Sequence, residues 1–323
     1  MKTLRLNAND QNDIELAGNL LKQGKLVAVP TETVYGLAAD ASNPTAVSNI
    51  FKAKGRPANH PLITHISDIN HLEYWATDIS PVAYRLAEAF WPGPLTILFN
   101  KHHQVSGVIT GGLSTIGIRI PKQPQLLKLL ASSQIAVAAP SANPYQKLSP
   151  TTAQQVVAGL DGNIDAILDA GRCAVGLEST IIRIDEQQCT ILRSGPISAI
   201  ELQPYFNQPI LQPVHHLESV SGNKKVHYQP NVPVRLFNNK NFVAPSSSKN
   251  IGLLHYSSVS NLMHCDITKI IKLSNVKSEY AREFYRALYE LEQASVSEIW
   301  VERPPEIPEW FDVIDRLSRA QTL

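Results

Sequence analysis

The 323-residue chain is longer than one domain usually is, so its length predicts two domains. Its formal charge of +1 at pH 7 excludes a strong global field that would drive it onto nucleic acid or an anionic membrane, and 43% apolar residues exclude global disorder. Three widely spaced cysteines exclude a disulfide framework and a CxxC metal site: Cys173, Cys189 and Cys265. The amino-terminal residues lack a signal-peptide pattern, and no segment approaches about 18 uninterrupted apolar residues. We therefore expect a soluble, cytoplasmic protein.

Helix and strand signals alternate along the first two-thirds of the chain. Residues 12–23 predict a helix ending at Gly24, with a stripe of apolar residues on one side: Ile14, Leu16, Ala17, Leu20 and Leu21. Thr151 followed by Gln154 resembles a capping box that opens a helix at 152–158. The other predicted helices lie near 44–54, 68–75, 80–90 and 198–205. Predicted strands lie at 25–30, 62–66, 95–99, 115–120, 135–139, 165–168, 180–184 and 190–193. This alternation predicts an α/β layered domain over residues 1–206.

The pattern changes after residue 206. Residues 207–249 are rich in Pro, Asn, Gln and Ser, with one plausible strand at 232–237, and we interpret them as an interdomain linker. Residues 250–323 predict a small second α/β domain without a recognisable chemical motif. Its predicted strands lie at 251–254, 268–272 and 297–301, and its predicted helices at 278–292 and 310–320. The longer helix carries a stripe of Ala281, Phe284, Leu288 and Leu291.

Common phosphate-binding and hydrolase motifs are missing from the sequence. It contains no GxxxxGK[ST] or GxGxxG loop, and neither HExxH nor GxSxG. The segment PTETVYGLAAD (30–40) instead places hydroxyls, a carboxylate and a tyrosine after an apolar strand. That is typical of a ligand site at a strand end, and equally of a capped turn.

Cations and small polar side chains recur at other strand and helix ends. Lys52, Lys54 and Arg56 share a Gly/Pro-interrupted loop, where they are either solvated or bind phosphate. His65 ends an apolar strand and is either structural or part of a site. Arg119 interrupts an apolar strand, and a buried arginine needs an anionic partner, which is an Asp or Glu of the protein or a carboxylate or phosphate of a ligand.

Three more segments complete this pattern. In VAAPSANPYQKLSPTTAQ (137–154), a predicted strand is followed by hydroxyls, an amide and a helix N-terminus. In GLESTIIRI (176–184), polar residues begin a strand, and in ILRSG (191–195), Arg193 ends one. FWPGPLTIL (90–98) is interpreted as architectural, because its prolines fix a turn and its large side chains feed the core. The whole set suits a site for a small polar molecule plus a polyphosphate, without a covalent nucleophile.

These segments, in this order, resemble the YrdC-type domain of threonylcarbamoyl-AMP synthases. The matching segments are PTETVYGL (30–37), KGRP (54–57), PLITHI (61–66), WPGPLT (91–96), IRIP (118–121), APSAN (139–143), SPT (149–151), EST (178–180) and LRSG (192–195). HYQP (227–230) and the terminal domain resemble the long form of this family. The resemblance implies a YrdC-like twisted mixed sheet with flanking helices, plus a small Rossmann-like C-terminal domain.

The resemblance also implies roles for particular residues. Those expected to bind L-threonine are Thr31, His65, Arg119, Ala139 and Ser179. Lys54 and Arg56 are expected to be catalytic and to face the ATP phosphates. The remaining residues expected around ATP are Ala58, Thr115, Ser141, Asn143, Ser149, Arg193 and Lys225. Two departures from the family pattern stand out: LRSG replaces LRPG, and Lys225 replaces a tyrosine of the linker, which puts the linker's role as a lid in question.

The implied reaction joins L-threonine, bicarbonate and ATP into threonylcarbamoyl-AMP and pyrophosphate, with Mg²⁺ brought by ATP and no protein metal site. A separate transferase complex would pass the threonylcarbamoyl group to tRNA. The alternatives are an RNA-binding module in tRNA maturation, with weak tRNA binding, and a carbamoyl-transfer enzyme of the hydrogenase-maturation type. The zinc-finger cysteine pairs and acylphosphatase-like segment of the latter are absent from the sequence.

Overall fold

The computed structural model of the chain describes residues 2–213, 218–222, 228–239, 250–259 and 266–322. Its backbone contacts divide the chain into two units, each with its own sheet. The first unit comprises residues 1–145, 150–174 and 178–223, and the second comprises 146–149, 175–177 and 224–323. The domain boundaries at 206 and 249 that were expected from the sequence stay predictions.

The first unit contains a mixed sheet in which parallel and antiparallel neighbours alternate irregularly. Its strands are β1 Leu4–Asn7, β2 Val27–Val29, β3 Gly36–Asp40, β4 Ile63–His65, β5 Ala76–Thr77, β6 Leu95–Lys101, β7 Thr115–Arg119, β8 Val137–Ala138, β9 Ala166–Asp169, β10 Thr180–Asp185 and β11 Gln188–Arg193. The spatial order is β1-β9-β2-β3-β8-β4-β7-β6-β10-β11, and β5 pairs with β6. Because distant segments become neighbours, β4, β7 and β8 meet at the centre of the sheet.

Helices connect these strands, and most of them begin with an ordinary side-chain cap. They are α1 Gln11–Lys22, α2 Pro44–Lys54, α3 Leu72–Trp75, α4 Pro81–Phe90, α5 Gly107–Thr110, α6 Pro124–Ser133, α7 Ala153–Leu160 and α8 Ala199–Leu202, with 3₁₀ turns at Ile69–His71 and Gln203–Tyr205. Helix α2 begins with Pro44 after the Asn43 cap, whose side chain accepts from the Thr45 and Ala46 amides, and it ends at Gly55 in the left-handed conformation. These local signals explain why the predicted range 44–54 is confirmed.

Five elements of the first unit are not predicted from the sequence, β1, β3, β5, α5 and α6, and two local details are misplaced. Strand β3 lies in PTETVYGLAAD, which was interpreted as a ligand site or a capped turn, and helix α6 lies in a segment for which no element was predicted. In α1, Leu16 was placed on the buried stripe but is 41% exposed, because the face that packs carries Ile14, Ala17 and Leu21. The cap of α7 is Thr152 rather than Thr151, since its hydroxyl accepts from the Gln155 amide.

The two faces of this sheet have different roles. One face carries the main apolar core, to which β6 and β7 contribute Ile97, Phe99, Ile116 and Ile118. Because side chains alternate along a strand, the intervening residues of β6 and β7 lie on the opposite face. There α1 and α6 pack over the β2–β3–β8 part, and polar side chains follow on the β4–β7–β6 part. The fold therefore places polar residues from several strands on one face, beside a packed core.

The second unit holds a parallel sheet with the order β12-β15-β13-β14. Its elements are β12 Val234–Phe237, β13 Ile251–His255, β14 Ile267–Lys272, α9 Lys277–Glu292, β15 Glu298–Glu302, a 3₁₀ turn at Pro308–Trp310 and α10 Phe311–Ala320. The predicted stripe of α9 is buried, which agrees with its spacing. This arrangement confirms the Rossmann-like α/β fold expected for the C-terminal domain.

Within the described ranges, no helix is long and apolar enough to cross a membrane. Cys173 and Cys189 are buried free thiols, and burial raises the pKa of each to about 12. The prediction about Cys265 lies outside the described residues.

Candidate active site

The loop after β2 is organised around the hydroxyl of Thr31. This oxygen donates to the Val34 carbonyl over 2.6 Å, lies 2.8 Å from the Thr33 hydroxyl, and accepts from the amides of Thr33 and Val34 at 3.1 Å. The hydroxyl is thus fully engaged within its own loop. Its contact with threonine stays a prediction, and what it does here is fix Glu32 and Thr33 in place.

Arg119, at the end of β7, gathers three side chains around its guanidinium. Nε donates to His65 Nε2 at 2.9 Å, Nη1 to Glu32 Oε1 at 3.2 Å, and Nη2 to the Thr33 hydroxyl at 3.1 Å. The parallel β4–β7 register brings His65 beside Arg119. Of the alternatives left open by the sequence, the anionic partner in this structure is Glu32, and the side chains of this pair are only 3% and 6% exposed.

Burial sets the protonation states in this cluster. Burial, and next the charge of Arg119, hold the pKa of His65 well below its usual 6.5, and backbone groups of Ile63 and Val137 act in the opposite direction. His65 is therefore neutral near pH 7, and it accepts from Arg119 at Nε2, so the ring proton lies on Nδ1. Burial lowers the pKa of Arg119, which Glu32 partly offsets. His65 thus accepts a hydrogen bond from the guanidinium of Arg119 and holds it in position.

A second buried group lies where β6, β10 and β11 meet. Arg193 donates through Nε and Nη2 to the Ser179 carbonyl at 3.0 and 2.8 Å, through Nη2 to the Ser179 hydroxyl at 3.0 Å, and through Nη1 to the Ser221 carbonyl at 2.9 Å. The Ser179 hydroxyl also lies 2.8 Å from that of Thr96 on β6. The β6–β7 register pairs Ile97 with Ile118, so Thr96 and Arg119 are neighbours on adjacent strands. The Ser179 group and the Arg119 group therefore belong to one region of the sheet.

Lys54 forms a separate polar centre at the end of α2. It is 4% exposed, and its Nζ donates to the carbonyls of Ser141 and Asn143, both at 2.5 Å. Burial, followed by the charge of Arg56, lowers its pKa well below 10.5. Arg56 is 8% exposed and donates to the Pro61 carbonyl at 3.0 Å. Lys54 thus lies against the loop that follows β8 and near a second buried cation, and it has no ion pair with a described carboxylate.

The remaining predicted residues lie at varied positions. Ala139 is buried, and its amide donates to the Ile63 carbonyl at 3.1 Å. Thr115 begins β7, four residues before Arg119 and hence about 13 Å from it along the strand, where it lines a cavity of about 560 Å³. Ala58 is exposed, Ser149 is buried and belongs to the second unit, and Lys225 lies outside the described residues.

Three residues near these groups were not named as site residues from the sequence. Glu32 and Thr33 belong to a segment that was singled out for its polar content, so a signal for them existed. Thr96 was assigned to an architectural motif, and its only sequence signal is a hydroxyl within the apolar strand LTILF. Strand pairing alone brings Thr96 to Ser179, 83 residues away.

The chain matches known proteins over both units. Residues 19–195 match the Sua5/YciO/YrdC family model described as "Telomere recombination", and residues 197–322 match the model of the threonylcarbamoyl-AMP synthase C-terminal domain. The threonylcarbamoyl-AMP synthase of Pyrococcus abyssi is 36% identical, covering 95% of this chain and 93% of its own, and that of Bacillus subtilis is 33% identical, covering 98% and 95%. The structure of P. abyssi Sua5 complexed with L-threonine superposes with a TM-score of 0.88 at 34% identity, covering 99% of this chain and 97% of that one.

Together, the mixed sheet, the buried cations on its polar face and the matches over both units define the class of protein: an enzyme of the nucleotidyltransferase type. The chain belongs to the threonylcarbamoyl-AMP synthase family, in the form that carries the C-terminal domain. The predicted family, fold and enzyme class are confirmed, and so is threonylcarbamoyl-AMP synthesis as the activity of this family.

Proposed function

We propose that this enzyme converts L-threonine, bicarbonate and ATP into threonylcarbamoyl-AMP and pyrophosphate at the buried Lys54 and Arg119 groups of its first unit. One observation carries the proposal. Lys54 is a buried lysine whose hydrogen-bond partners are backbone carbonyls, and it lies beside a second buried cation, Arg56. A buried lysine that has no ion pair with a described carboxylate is costly unless an anion joins it, and phosphate supplies both the charge and the acceptor oxygens.

The amino-acid end of the site is proposed around Arg119. Each terminal nitrogen of this guanidinium donates once within the described part of the chain, which leaves one N–H on each for a ligand. A carboxylate accepts such a pair of N–H groups side by side. Arg119 would hold the threonine carboxylate, with His65, Ser179 and the Ala139 backbone around the amino acid.

The nucleotide end is proposed around Lys54 and Arg56, which would face the phosphates. The additional contacts to ATP are proposed from Ala58, Thr115, Ser141, Asn143, Ser149, Arg193 and Lys225. Mg²⁺ would enter as part of the substrate, because this ion usually keeps several waters and is held largely by phosphate oxygens.

The proposed chemistry has two steps. The threonine nitrogen forms a bond to the carbon of CO₂, which comes from bicarbonate with loss of water, and gives a carbamate. A carbamate oxygen then forms a bond to the α-phosphorus of ATP, while the bond to the bridging oxygen breaks and pyrophosphate leaves. Such a transfer depends on positioning and on stabilising developing negative charge, which fixed cations and hydroxyls supply.

The product would pass to a transferase complex that modifies tRNA, and a cytoplasmic location is part of this proposal because ATP and tRNA are found there. The test is pyrophosphate release by the purified chain, with and without L-threonine and bicarbonate, with the adenylate identified by mass. Release that requires both co-substrates is expected. Release indifferent to threonine, together with steeply salt-dependent tRNA binding, would favour the RNA-binding alternative.

A second test compares two lysines of the same helix. Lys54→Ala is expected to lower the rate of synthesis by about 10²–10³-fold, as removal of one preorganised donor does. Lys52 is exposed on α2, and in the described part of the chain it donates only to Asn49, at 3.4 Å, so Lys52→Ala is expected to keep the normal rate. Near-normal turnover of Lys54→Ala would remove Lys54 from the mechanism.

A further inference from the structure

One carboxylate oxygen of Glu32 is hydrogen-bonded, and the other has no partner within the described residues. Oε1 accepts from Arg119 Nη1 at 3.2 Å, whereas Oε2 is buried and receives no hydrogen bond within the described residues. The residue as a whole is 6% exposed. A buried acceptor without a donor is destabilising, so a donor is expected when the site is filled.

We propose that Glu32 binds the α-amino group of the amino-acid substrate and accepts a proton from it. This inference rests on the proposed function and adds a catalytic residue to it. Arg119 and Glu32 form an oppositely charged pair, and a free amino acid carries a carboxylate and an ammonium group on the same carbon. The pair thus matches the substrate in charge, with the carboxylate at Arg119 and the nitrogen at Glu32 Oε2.

The other side chains around Arg119 are unsuited to this role. The Thr33 hydroxyl already contacts Thr31 and Arg119, and His65 Nε2 already accepts from Arg119. Cys173 interacts electrostatically with Glu32, but burial raises the pKa of its thiol to about 12, so it stays protonated. Among the described groups that contact Arg119, Glu32 therefore has the available acceptor.

The reaction requires such an acceptor. The ammonium group of threonine has no lone pair at neutral pH, so one N–H bond must break before nitrogen can bond to carbon. The proton moves to Glu32 Oε2, and the nitrogen lone pair forms the bond to CO₂. A second proton leaves nitrogen as the carbamate forms. The balance is threonine-NH₃⁺ plus HCO₃⁻ giving threonine-NH-COO⁻, H₂O and H⁺, and Glu32 returns to its ionised form when its proton is passed on to bicarbonate or water.

A binding experiment tests the contact with nitrogen. Calorimetry on the full chain would compare L-threonine with (R)-3-hydroxybutyrate, which keeps the carboxylate and hydroxyl but has hydrogen in place of the ammonium group. The wild-type chain is expected to prefer threonine, and Glu32→Gln to lose about ten- to a hundredfold of that preference, the effect of one charge-assisted hydrogen bond. Thr33→Val, which removes another Arg119 partner, is expected to weaken both ligands alike.

A pH profile tests the proton transfer. Synthesis by Glu32→Gln is expected to be low near neutral pH and to recover at alkaline pH, where free threonine has already lost its proton. The titratable groups that interact with Glu32 are Arg119 and Cys173, and His65 contacts Arg119; all three remain in this variant. A purely structural role for Glu32 would give a uniformly low profile without this recovery.

Three outcomes would overturn the inference: equal affinity of the wild-type chain for the two ligands, an unchanged preference in Glu32→Gln, or the absence of alkaline recovery. If Glu32→Gln does not fold, Glu32→Asp replaces it. That variant withdraws the carboxylate by one methylene and is expected to show an intermediate preference. A wild-type chain that prefers threonine yet makes no adenylate from ATP would refute the proposed function while leaving the contact between Glu32 and the amino group intact.

Discussion

Gly195 ends the LRSG segment, and the Cβ of an alanine at this position would clash with the backbone of residues 178–180, which includes Ser179. A Cβ built on Gly195 would lie 2.3 Å from the Thr180 nitrogen, 2.6 Å from the Ser179 carbonyl carbon and 2.8 Å from the Glu178 oxygen. Real Cβ contacts essentially never fall below 3.0 Å. Relief of the closest contact therefore requires a movement of at least 0.7 Å (3.0 minus 2.3), and backbone atoms cannot rotate away as a side chain would.

The structure sets the scale of the effect. Overpacking of a well-packed region costs about 1–3 kcal/mol, and contact with three backbone atoms places Gly195→Ala at or above the upper end, about 3 kcal/mol. For a unit of this size that loss corresponds to a fall in Tm of about 6–12 °C. Because the displaced backbone carries the Ser179 hydroxyl and carbonyl that Arg193 holds, synthesis is expected to fall as well.

The assay is thermal unfolding of the full chain, followed by pyrophosphate release well below the melting range. Gly107→Ala is the matched control, because Gly107 begins α5 and its nearest neighbour is 3.9 Å from the added Cβ. That control is expected to stay within about 0.5 kcal/mol of the wild-type chain. A Gly195→Ala variant as stable and active as Gly107→Ala would refute the argument that close backbone approach selects glycine here.

Two further predictions concern buried polar groups. The pKa of His65 is lowered in the folded chain, so below about pH 6.5 this residue is protonated in the unfolded chain but stays neutral in the folded chain. The free energy of unfolding should therefore fall by about 1.4 kcal/mol for each pH unit below that value, for this one group. Urea unfolding between about pH 7 and pH 5 measures this fall, and an equal dependence on pH in His65→Gln would contradict the prediction. Thr96→Val should lower the free energy of unfolding by about 1–3 kcal/mol, because the buried Ser179 hydroxyl loses a partner, and by much less when Ser179 is already alanine. A double-mutant cycle measured by urea unfolding checks this, and strictly additive losses would contradict an interaction between the two hydroxyls.

Local signals were sufficient for elements with clear boundaries. Helix α2 begins and ends where its asparagine, proline and glycine predict, because capping depends on neighbouring residues only. Helix α6 carries comparable signals, a Gln123 cap with Pro124 as the first residue and a stripe of buried leucines, so its position too depends on local signals. Strand β3 (GLAAD) is different, since its small residues lack the β-branched pattern typical of a strand, and pairing on both sides makes it one.

The sequence by itself determined the kind of chemistry: a site of isolated cations and hydroxyls at strand ends, a family resemblance, and two α/β units. These properties can be read locally because residue types and their spacing carry them. Only the tertiary structure decided which buried polar groups contact each other. Glu32 and Arg119 are 87 residues apart, and Lys54 lies 87 residues from the Ser141 carbonyl that it meets. Such contacts follow from the order of strands in the sheet, which no local pattern specifies, because every buried charge has several possible partners until folding selects one.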